Sequence, residues 1–479
     1  MALFGNLEIK RAYRGTTPLT KMYKGVTRAL EFLKYAIAGE PPKYVADFSS
    51  DYYRTGGATS TFSDAFSYTG DSKKTMVDSD GLIKWAPHNE LLYSEDFTSA
   101  NWLKLSDSGT PVSNDAVAPD GSTTADKIVD DNSGGTGLVQ IAQNVTVQDD
   151  ASYTISVFLK ADGLHWAAIN IINVDTSFRL FKAYFDLQNG VIGSVSGSTL
   201  PLTHTITSVG NGWYLCTASW NQGVGATSPR IRMRLASDDL TDTVNLDGTS
   251  SMFAWGAHLY RSDLGGMVDN PDRGDSYVPT TSSAVYLPRR GHHVYNGSEW
   301  VNEGLLVESE ARTNLVTYSN DLSQWTNSET IDSQNVSGVT SPDGSENANS
   351  LIETAATNQH GIYIAATVPT GYITYSVFAK QAVGSRYLQI MPRGVGTNSA
   401  YANFDLDTGE VVSGGTGGTE FVSANMVPYE DGWYRCALTA NHAAAPTGMW
   451  LLLSNGAGAY PSYTGDGLSG AYVWGAQLE

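Results

Sequence analysis

The sequence predicts an all-β chain organised around a module that occurs twice. A Gly-Trp-Tyr-x-Cys motif begins at Gly212 and again at Gly432, and Trp-Gly-Ala-x-Leu begins at Trp255 and again at Trp474. Charged residues make up only 16% of the chain and there are 49 glycines, which is typical of turn-rich β proteins. Polar and apolar residues alternate strictly over 230–235, the period of a half-buried strand.

The repeat extends over most of the chain at a nearly constant offset. The two tryptophans lie 42 residues apart in the first copy and 41 apart in the second. Further shared motifs are Pro-Asp-Gly-Ser (119–122 and 342–345), Ser-Val-Phe-x-Lys (156–160 and 376–380) and Phe-Asp-Leu (185–187 and 404–406). A duplication of this length predicts modules at 89–263 and 313–479, each of ordinary domain size. Many short strands between turn clusters are typical of a sandwich or a barrel.

The first 40 residues differ from the rest in charge. Seven Lys and Arg stand against three Glu there, so this segment is basic while the whole chain carries −20. A miniature repeat, Tyr13-Arg14-Gly15 and Tyr23-Lys24-Gly25, suggests short strands with turns at the glycines, while 28–38 could instead form a helix. A basic arm ahead of an acidic body is typical of a docking element. Tyr13, Arg14, Tyr23 and Lys24 are its candidate anchoring residues, and a solvated tail is the alternative.

Two further segments separate these parts. Residues 41–88 contain irregularly spaced aromatic residues and predict a β-rich connector. Residues 264–312 predict a turn-rich linker that includes a hairpin at Asn296-Gly297, because this dipeptide favours two-residue turns.

Charge and cysteine content exclude several functional classes. The net charge of −20 argues against general nucleic-acid binding, which requires Lys and Arg at phosphates. Neither a secretory signal nor an apolar run long enough for a membrane span is expected. Cys216 and Cys436 occupy equivalent positions in different modules, so neither module can form an internal disulfide. Both are predicted to be buried free thiols.

The sequence does not predict an enzyme. It contains no paired-histidine helix motif, phosphate-binding glycine loop or cysteine cluster. Its adjacent aspartate pairs lie in polar turn contexts, whereas a catalytic acid needs an apolar surrounding. The run 404–410 resembles a calcium loop, but the equivalent run 185–191 lacks two of its three carboxylates. A hairpin turn is therefore favoured, with calcium as a weak alternative, and no other cofactor or metal is expected.

Aromatic, amide and basic side chains are the candidate ligand-binding residues. Sugars stack on flat rings while polar side chains fix their hydroxyls. The candidates are His165, Trp166, Trp220, Arg230, Arg232 and Arg234 in the first module, and Tyr387, Gln389, Asn441, His442 and Trp450 in the second. Trp220 is not repeated in the second module, which favours the surface but leaves the core open. The arginine row could equally be a solvated or subunit-contacting face. The recurring tryptophans, Trp213, Trp255, Trp433 and Trp474, are predicted to be core.

The shared motifs resemble a known group of modules. Asn314-Leu315 with Tyr318-Ser319, together with Pro-Asp-Gly, Ser-Val-Phe-x-Lys, Gly-Trp-Tyr and Trp-Gly-Ala-x-Leu, is similar to modules of tailed-bacteriophage virion proteins, of tail or head fibre type. Those modules are similar to jelly-roll carbohydrate-binding domains. Gly-Thr-Thr-Pro at 15–18 is similar to N-terminal segments of phage tail and fibre proteins. The resemblance implies a virion-surface location, a homo-oligomer with a trimer favoured, and a host-surface ligand.

These inferences together predict two tandem antiparallel β-sandwich (jelly-roll) modules after a small N-terminal anchor. The expected function is a non-enzymatic phage adhesin that contacts host surface glycans and other virion proteins, with neither nucleic acid nor membrane insertion. A structural head or tail decoration protein is the first alternative, and a polysaccharide depolymerase is the second.

Overall fold

The N-terminal segment is described only in part. The computed structural model describes residues 44–174, 179–199, 201–308, 313–384, 386–395, 399–458 and 461–479, with four short strands before them. Those strands are β1 (Leu3–Phe4), β2 (Leu7–Ile9), β3 (Tyr13–Arg14) and β4 (Thr17–Pro18). β3 and β4 pair across Gly15. Tyr23 and Lys24 lie outside the described residues, as does the candidate helix at 28–38, and of Tyr13 and Arg14 only the backbone is described.

The connector forms a small aromatic unit. Its elements are β5 (Val45–Asp47), β6 (Tyr52–Thr55), β7 (Ala58–Ser60), α1 (Phe62–Ala65), β8 (Phe66–Tyr68), β9 (Thr75–Val77), β10 (Ile83–Trp85) and β11 (His88–Asn89). Thr61 and Asp64 form a reciprocal capping box that begins α1. Tyr53, Phe62 and Phe66 pack together beneath it. β2 pairs with β8 and with β1, which ties the first two N-terminal strands to this unit.

The first module is a sandwich of two six-stranded sheets. Its strands are β12 (Leu103–Ser106), β13 (Val112–Ala116), β14 (Ala125–Val129), β15 (Thr136–Gly137), β16 (Val139–Asn144), β17 (Ser152–Ala161), β18 (Trp166–Asn173), β19 (Arg179–Asp186), β20 (Val191–Gly197), β21 (Thr203–Gly210), β22 (Trp213–Asn221), β23 (Pro229–Ala236), β24 (Val244–Asn245) and β25 (Ser251–Arg261). The front sheet has the order β12-β16-β23-β18-β19-β20 and the back sheet β13-β14-β25-β17-β22-β21. All neighbouring strands in both sheets are antiparallel.

A hairpin stands between the modules. Its region contains β26 (Val285–Tyr286), β27 (Arg289–Tyr295) and β28 (Trp300–Leu306). β27 and β28 pair from Arg289↔Leu306 to Tyr295↔Trp300, with Gly297 at a φ of 98° in the turn.

The second module repeats the first strand for strand. Its strands are β29 (Thr326–Ser328), β30 (Thr330–Ser333), β31 (Asn349–Glu353), β32 (Thr357–Asn358), β33 (His360–Ala365), β34 (Gly371–Gln381), β35 (Tyr387–Arg393), β36 (Tyr401–Asp405), β37 (Glu410–Gly417), β38 (Phe421–Pro428), β39 (Trp433–His442), β40 (Gly448–Ser454), β41 (Tyr463–Thr464) and β42 (Gly470–Leu478). Short 3-10 turns occupy Leu322–Gln324 and Glu430–Gly432. The front sheet β29-β33-β40-β35-β36-β37 and the back sheet β30-β31-β42-β34-β39-β38 match the first module position by position. The predicted all-β fold of two tandem antiparallel sandwiches is confirmed.

Alternation along the strands fills the space between the sheets. In the first module Ile141, Ile169 and Met233 of the front sheet face Val157 and Cys216 of the back sheet, all at most 1% exposed. Cys216 and its counterpart Cys436 are free thiols, as predicted, and burial raises the pKa of both.

The repeated tryptophans build a second, smaller core. Trp213 and Trp255 are buried as predicted, but they pack with Phe158 and Tyr277 on the outer side of the back sheet. Trp433 and Trp474 do the same with Phe378 in the second module. Aromatic side chains with a polar N–H suit this position because loop groups can accept the hydrogen bond. Val117 and Thr340 provide such a carbonyl for Trp213 and Trp433.

The run 404–410 folds as the favoured hairpin turn. Asp405 Oδ1 accepts the backbone N–H groups of Asp407 and Thr408, at 3.0 and 3.2 Å. Asp186 Oδ1 does the same in the first module, for Gln188 and Asn189. The carboxylate that recurs in both copies therefore has a turn-forming role.

Within the described part of the chain, every helix falls short of the length and apolar content needed to cross a membrane.

Candidate functional site

The outer face of the front sheet of module one gathers polar and aromatic side chains. Ile141, Ile169 and Met233 point into the core, so their neighbours along each strand point outward. Strand pairing places Gln140 beside Arg234 and Arg234 beside Ala168, and Tyr184 follows on β19. A second row, set by the same pairings, runs Ala142, Arg232, Asn170 and Lys182. We call this surface the basic face and define it by Gln140, Trp166, Asn170, Lys182, Tyr184, Arg230, Arg232 and Arg234.

Several polar atoms on the basic face are buried without a hydrogen-bond partner. They are Gln140 Oε1, Tyr184 Oη and Arg234 Nε. Their side chains are 5%, 0% and 6% exposed, respectively. An unpaired buried donor or acceptor costs about 1–3 kcal/mol, so such atoms are rare in protein interiors. Gln140 and Arg234 are neighbours in this row and Tyr184 lies two strands beyond Arg234, so the row combines an acceptor without a donor and donors without an acceptor.

Positive charge dominates the basic face. Asp242, on the loop after β23, accepts hydrogen bonds from Lys182 Nζ at 2.7 Å and from Arg234 Nη1. Burial alone would raise the pKa of Asp242, but these two cations more than offset that and lower it. Arg230 Nε donates to the neutral Asn144 at 2.6 Å. Asp242 thus pairs with two of the four cations of the face, Lys182 and Arg234.

A tryptophan borders the charged rows. Trp166 is half-buried and packs on Ala168, Tyr184 and Ala236. Gly193 of β20 lies directly over this cluster, because a Cβ there would come within 2.6 Å of the Trp166 ring and 2.9 Å of Tyr184 Cβ. The absence of a side chain at Gly193 lets the edge strand close against Trp166.

The corresponding face of module two has different chemistry. Tyr363 and Trp450 have ring centroids 4.2 Å apart, and Arg393 lies 4.5 Å above the Tyr363 ring. Gln389 and Asn403, both fully buried, hydrogen-bond each other at 2.7 Å. We call Tyr363, Arg393 and Trp450 the aromatic face.

The structure unites most of the candidates predicted for module one. Trp166, Arg230, Arg232 and Arg234 share the basic face, and His165 is exposed immediately before β18. Trp220 is the exception. It is 2% exposed, packs against Tyr153 and Phe181 in the main core, and so cannot reach a surface ligand. The surface interpretation of Trp220 is therefore corrected to a core role.

The candidates of module two divide between the two sheets. Tyr387, Gln389 and Trp450 belong to the front sheet, although Gln389 is buried by its contacts with Asn403 and Gly458. Asn441 and His442 end β39 of the back sheet. Asn441 is exposed, but His442 is 2% exposed between Glu420 and Tyr375, 2.8 Å from each. Gln389 and His442 are therefore corrected to structural roles.

Sequence reasoning missed Gln140, Asn170, Lys182 and Tyr184 in module one, and Tyr363 in module two. The register between strands distant in sequence places Gln140, Asn170 and Tyr363 opposite predicted residues. The same register brings Lys182 and Tyr184 onto the next strand of the face. The available local signal was alternation in 179–186, which places Lys182 and Tyr184 on one side of their strand.

Carboxylates near the basic face have structural partners. Asp239 accepts hydrogen bonds from the backbone and side chain of Ser194, at 2.8 and 2.7 Å. Among the described residues, no group of three or more His, Cys, Asp or Glu side chains is placed to hold a metal ion.

Comparison with known proteins gives likeness of structure only. No model of a protein family matches the sequence, and no curated protein matches it. The structure is similar to the tandem CBM22-1–CBM22-2 domain of Xyn10C from Paenibacillus barcinonensis, with a TM-score of 0.25 and 11% identity, over 82% of this chain and 97% of that one. It is also similar to the enzymatically active domain of tailspike protein 4 of bacteriophage CBA120, with a TM-score of 0.22 and 12% identity, over 36% of this chain and 21% of that one. At these TM-scores neither likeness carries an argument about ligand or activity.

Proposed function

We propose that this protein is a non-enzymatic adhesin of a phage virion, of tail-fibre or receptor-binding type, that contacts host surface glycans through the front sheets of its two sandwiches. The observation that carries the proposal is the basic face. It combines a half-buried tryptophan with buried, unpartnered amide, phenol and guanidinium atoms. Flat rings beside a few convergent polar groups are typical of sugar-binding surfaces.

Attachment and assembly complete the proposal. The basic segment 1–40, with Tyr13, Arg14, Tyr23 and Lys24, binds other virion proteins, and the chain assembles as a homo-oligomer at the virion surface, with a trimer favoured. Open sugar sites of this kind bind weakly when alone. Several copies on one particle raise the avidity by roughly two to four orders of magnitude without new contacts.

A binding role accounts for the local carboxylates better than hydrolysis does. A glycosidase needs a carboxylic acid whose pKa is raised by an apolar surrounding. Asp242 has the opposite character, since two cations lower its pKa. Asp186, at the turn after β19, also has a lowered pKa because hydrogen bonds from Asn189 and Gln188 outweigh the effect of its burial.

Binding of the full chain to an array of bacterial surface polysaccharides tests the proposal. We expect weak, saturable binding that the substitution Trp166→Ala reduces. Tyr372→Ala serves as the control, because Tyr372 is an exposed aromatic side chain on the back sheet of module two. If the chain does not bind host polysaccharides at millimolar concentration, the decoration role becomes the better explanation. Release of new reducing ends from a bound polysaccharide would instead favour a depolymerase.

A further inference from the structure

The two front sheets share one architecture but present different chemistry at equivalent positions. In module one Ile141 pairs with Met233, and in module two Ile362 pairs with Leu451, both pairs in the core. Counting outward from these pairs along equivalent strands aligns Arg232 with Trp450, Arg234 with Leu452, and Ala142 with Tyr363. The core is therefore kept in the duplication while the outer face has changed from cationic to aromatic.

An anion is the ligand that the basic face can stabilise best. Four cations lie on two strands, β23 and β19, which β18 separates, so the two strands are about 10 Å apart across the sheet. Asp242 already satisfies one hydrogen bond each of Lys182 and Arg234. Arg234 Nε and Tyr184 Oη still lack an acceptor. A carboxylate is acceptor-only when ionised and takes charge-assisted hydrogen bonds from several donors at once.

The rest of the face favours a sugar acid over a nucleic acid. Trp166 lies beside the cations and is half-buried, so part of its ring is available to the C–H groups of a pyranose. Asp239 and Asp242 border the same area. Their carboxylates can accept hydrogen bonds from sugar hydroxyl groups but repel a run of phosphates. A chain of net charge −20 also repels a long polyanion everywhere except at this face.

We propose that the basic face of module one binds the carboxylate-bearing sugar of an acidic polysaccharide, and that this acid specificity is absent from module two. In the bound state the carboxylate lies on Arg232 and Arg234, Gln140 accepts from a hydroxyl, and Trp166 contacts the ring edge. On the aromatic face, the neighbouring rings of Tyr363 and Trp450 take neutral sugar. This proposal rests on the glycan-binding function proposed above and specifies the ligand class of one of its sites.

Titration calorimetry of the full chain with matched probes tests the inference. The probes are an oligogalacturonate and its methyl ester, which has the same backbone without charge, followed by an array of acidic and neutral bacterial polysaccharides. We expect binding of acidic glycans that weakens as salt rises from about 50 to about 500 mM, because the charges are partly exposed. The double substitution Arg230→Gln/Arg232→Gln should weaken this binding by at least about tenfold.

The matched control removes the same charge elsewhere. Lys127→Gln/Lys160→Gln lies on the back sheet and lowers the net charge by the same amount, so acidic binding should change less than about twofold if location matters and bulk charge does not. The substitution Trp450→Ala should reduce binding of neutral glycans and leave acidic binding in place. Thermal unfolding of each variant checks that the fold is kept.

The outcomes separate the two proposals. If the chain binds glycans but the Arg230/Arg232 variant behaves like the back-sheet control, or the ester binds as well as the acid, the acid specificity is overturned while the adhesin role stands. If the chain binds no glycan, acidic or neutral, the adhesin function and the acid specificity are both wrong. If duplex DNA binds the basic face more tightly than every acidic glycan, the assignment of a sugar ligand is wrong.

Discussion

At the scale of single residues, the two modules differ in the hydrogen bonding of one repeated indole N–H group. Trp255 Nε1 donates to Thr124 Oγ1 at 3.0 Å. Its counterpart Trp474 Nε1 is buried without a partner. A buried donor without an acceptor loses the free energy of its hydration, so the first module has a stabilising contact that the second lacks.

The substitution Thr124→Val should therefore lower the free energy of unfolding of module one by about 1–2 kcal/mol, since it keeps the shape and removes the acceptor. Urea denaturation followed by tryptophan fluorescence measures the change. Thr123→Val is the control, because Thr123 is exposed. Equal effects of the two substitutions would show that the hydrogen bond to Trp255 contributes nothing.

A second residue couples stability to pH. His258 is fully buried, and burial lowers its pKa to about 4. Nε2 lies 2.9 Å from the His88 carbonyl, while Nδ1 has no partner. An unfolded histidine titrates near pH 6.5, so the unfolded state binds the proton first. The contribution of neutral His258 to the free energy of unfolding is therefore complete above about pH 6.5 and is lost as the pH falls towards 4.

His258→Gln should remove part of that pH dependence, because glutamine does not titrate in this range and already occupies the equivalent position as Gln477. Between pH 7 and pH 5 the parent chain should lose about 2 kcal/mol more than the variant. Denaturant unfolding at the two pH values measures the difference. His88, whose pKa burial lowers to about 3, remains in both proteins. Parallel pH profiles would contradict the assignment to His258.

At the scale of the element, the repeated Trp-Gly dipeptide is a β-bulge. Pairing of β17 with β25 shifts register between Ser156 and Phe158, and Gly256 has a φ of 63°. β34 and β42 repeat the shift, with Gly475 at 62°. A bulge with glycine at positive φ reverses the side-chain alternation of its strand. The reversal sends Trp255 to the outer cluster while Ala257 and Leu259 stay in the core.

Gly256→Ala should consequently destabilise module one by more than the backbone conformation alone requires. A Cβ at this position would lie 2.9 Å from the Phe158 ring, in addition to the cost of positive φ. Gly223→Ala is the comparison, since Gly223 has a φ of 74° and open space around it. We expect a loss of about 1–2 kcal/mol for Gly223→Ala and about 2–4 kcal/mol for Gly256→Ala. Thermal denaturation compares them, and equal losses would contradict the close contact.

The sequence predicts elements better than the contacts between them. Alternation over 230–235 correctly places Arg230, Arg232 and Arg234 on one side of a strand, because that depends only on backbone geometry. Which residues face them depends on the register with β16 and β18, which no local pattern fixes. Trp220 was misjudged for a related reason. A core position can exchange Trp220 for the equally buried Ala440 when neighbours change as well, so failure to repeat does not indicate exposure.

At the scale of the whole molecule, the connector and the hairpin hold both sandwiches. Trp85 donates to Asp263 at 2.7 Å, at the end of module one. The backbone N–H of Ile83 donates to the Pro342 carbonyl of module two at 3.0 Å. Arg290 of β27 pairs with Asp51 of the connector and with Asp272 after module one, at 3.0 and 2.6 Å. The segments predicted as connector and linker are therefore packed structure that joins the two modules.

Trp300 joins the hairpin to module two, beside the contact that Ile83 makes. Its ring centroid lies 4.6 Å from that of Tyr429, and its Nε1 donates to Glu430 at 2.9 Å. Gly81 of the β9–β10 turn leaves room for this ring, since a Cβ there would come within 2.2 Å of it. Three parts of the chain thus meet at one side chain. Under the proposed glycan-binding function, a fixed separation of the basic and aromatic faces would give the two sites a higher effective concentration on one polysaccharide than a flexible tether would.

The substitution Trp300→Ala should release module two from the connector without unfolding either sandwich, because both sandwich cores lie elsewhere. We expect a larger radius of gyration in small-angle X-ray scattering and faster proteolysis within 289–308. Glu430→Gln is the control, since it keeps the aromatic packing and an acceptor for the indole N–H, and it should leave the radius unchanged. If Trp300→Ala also leaves the radius unchanged, the remaining contact at Ile83 is sufficient to hold the modules together. In that case the fixed spacing of the two faces does not depend on the hairpin.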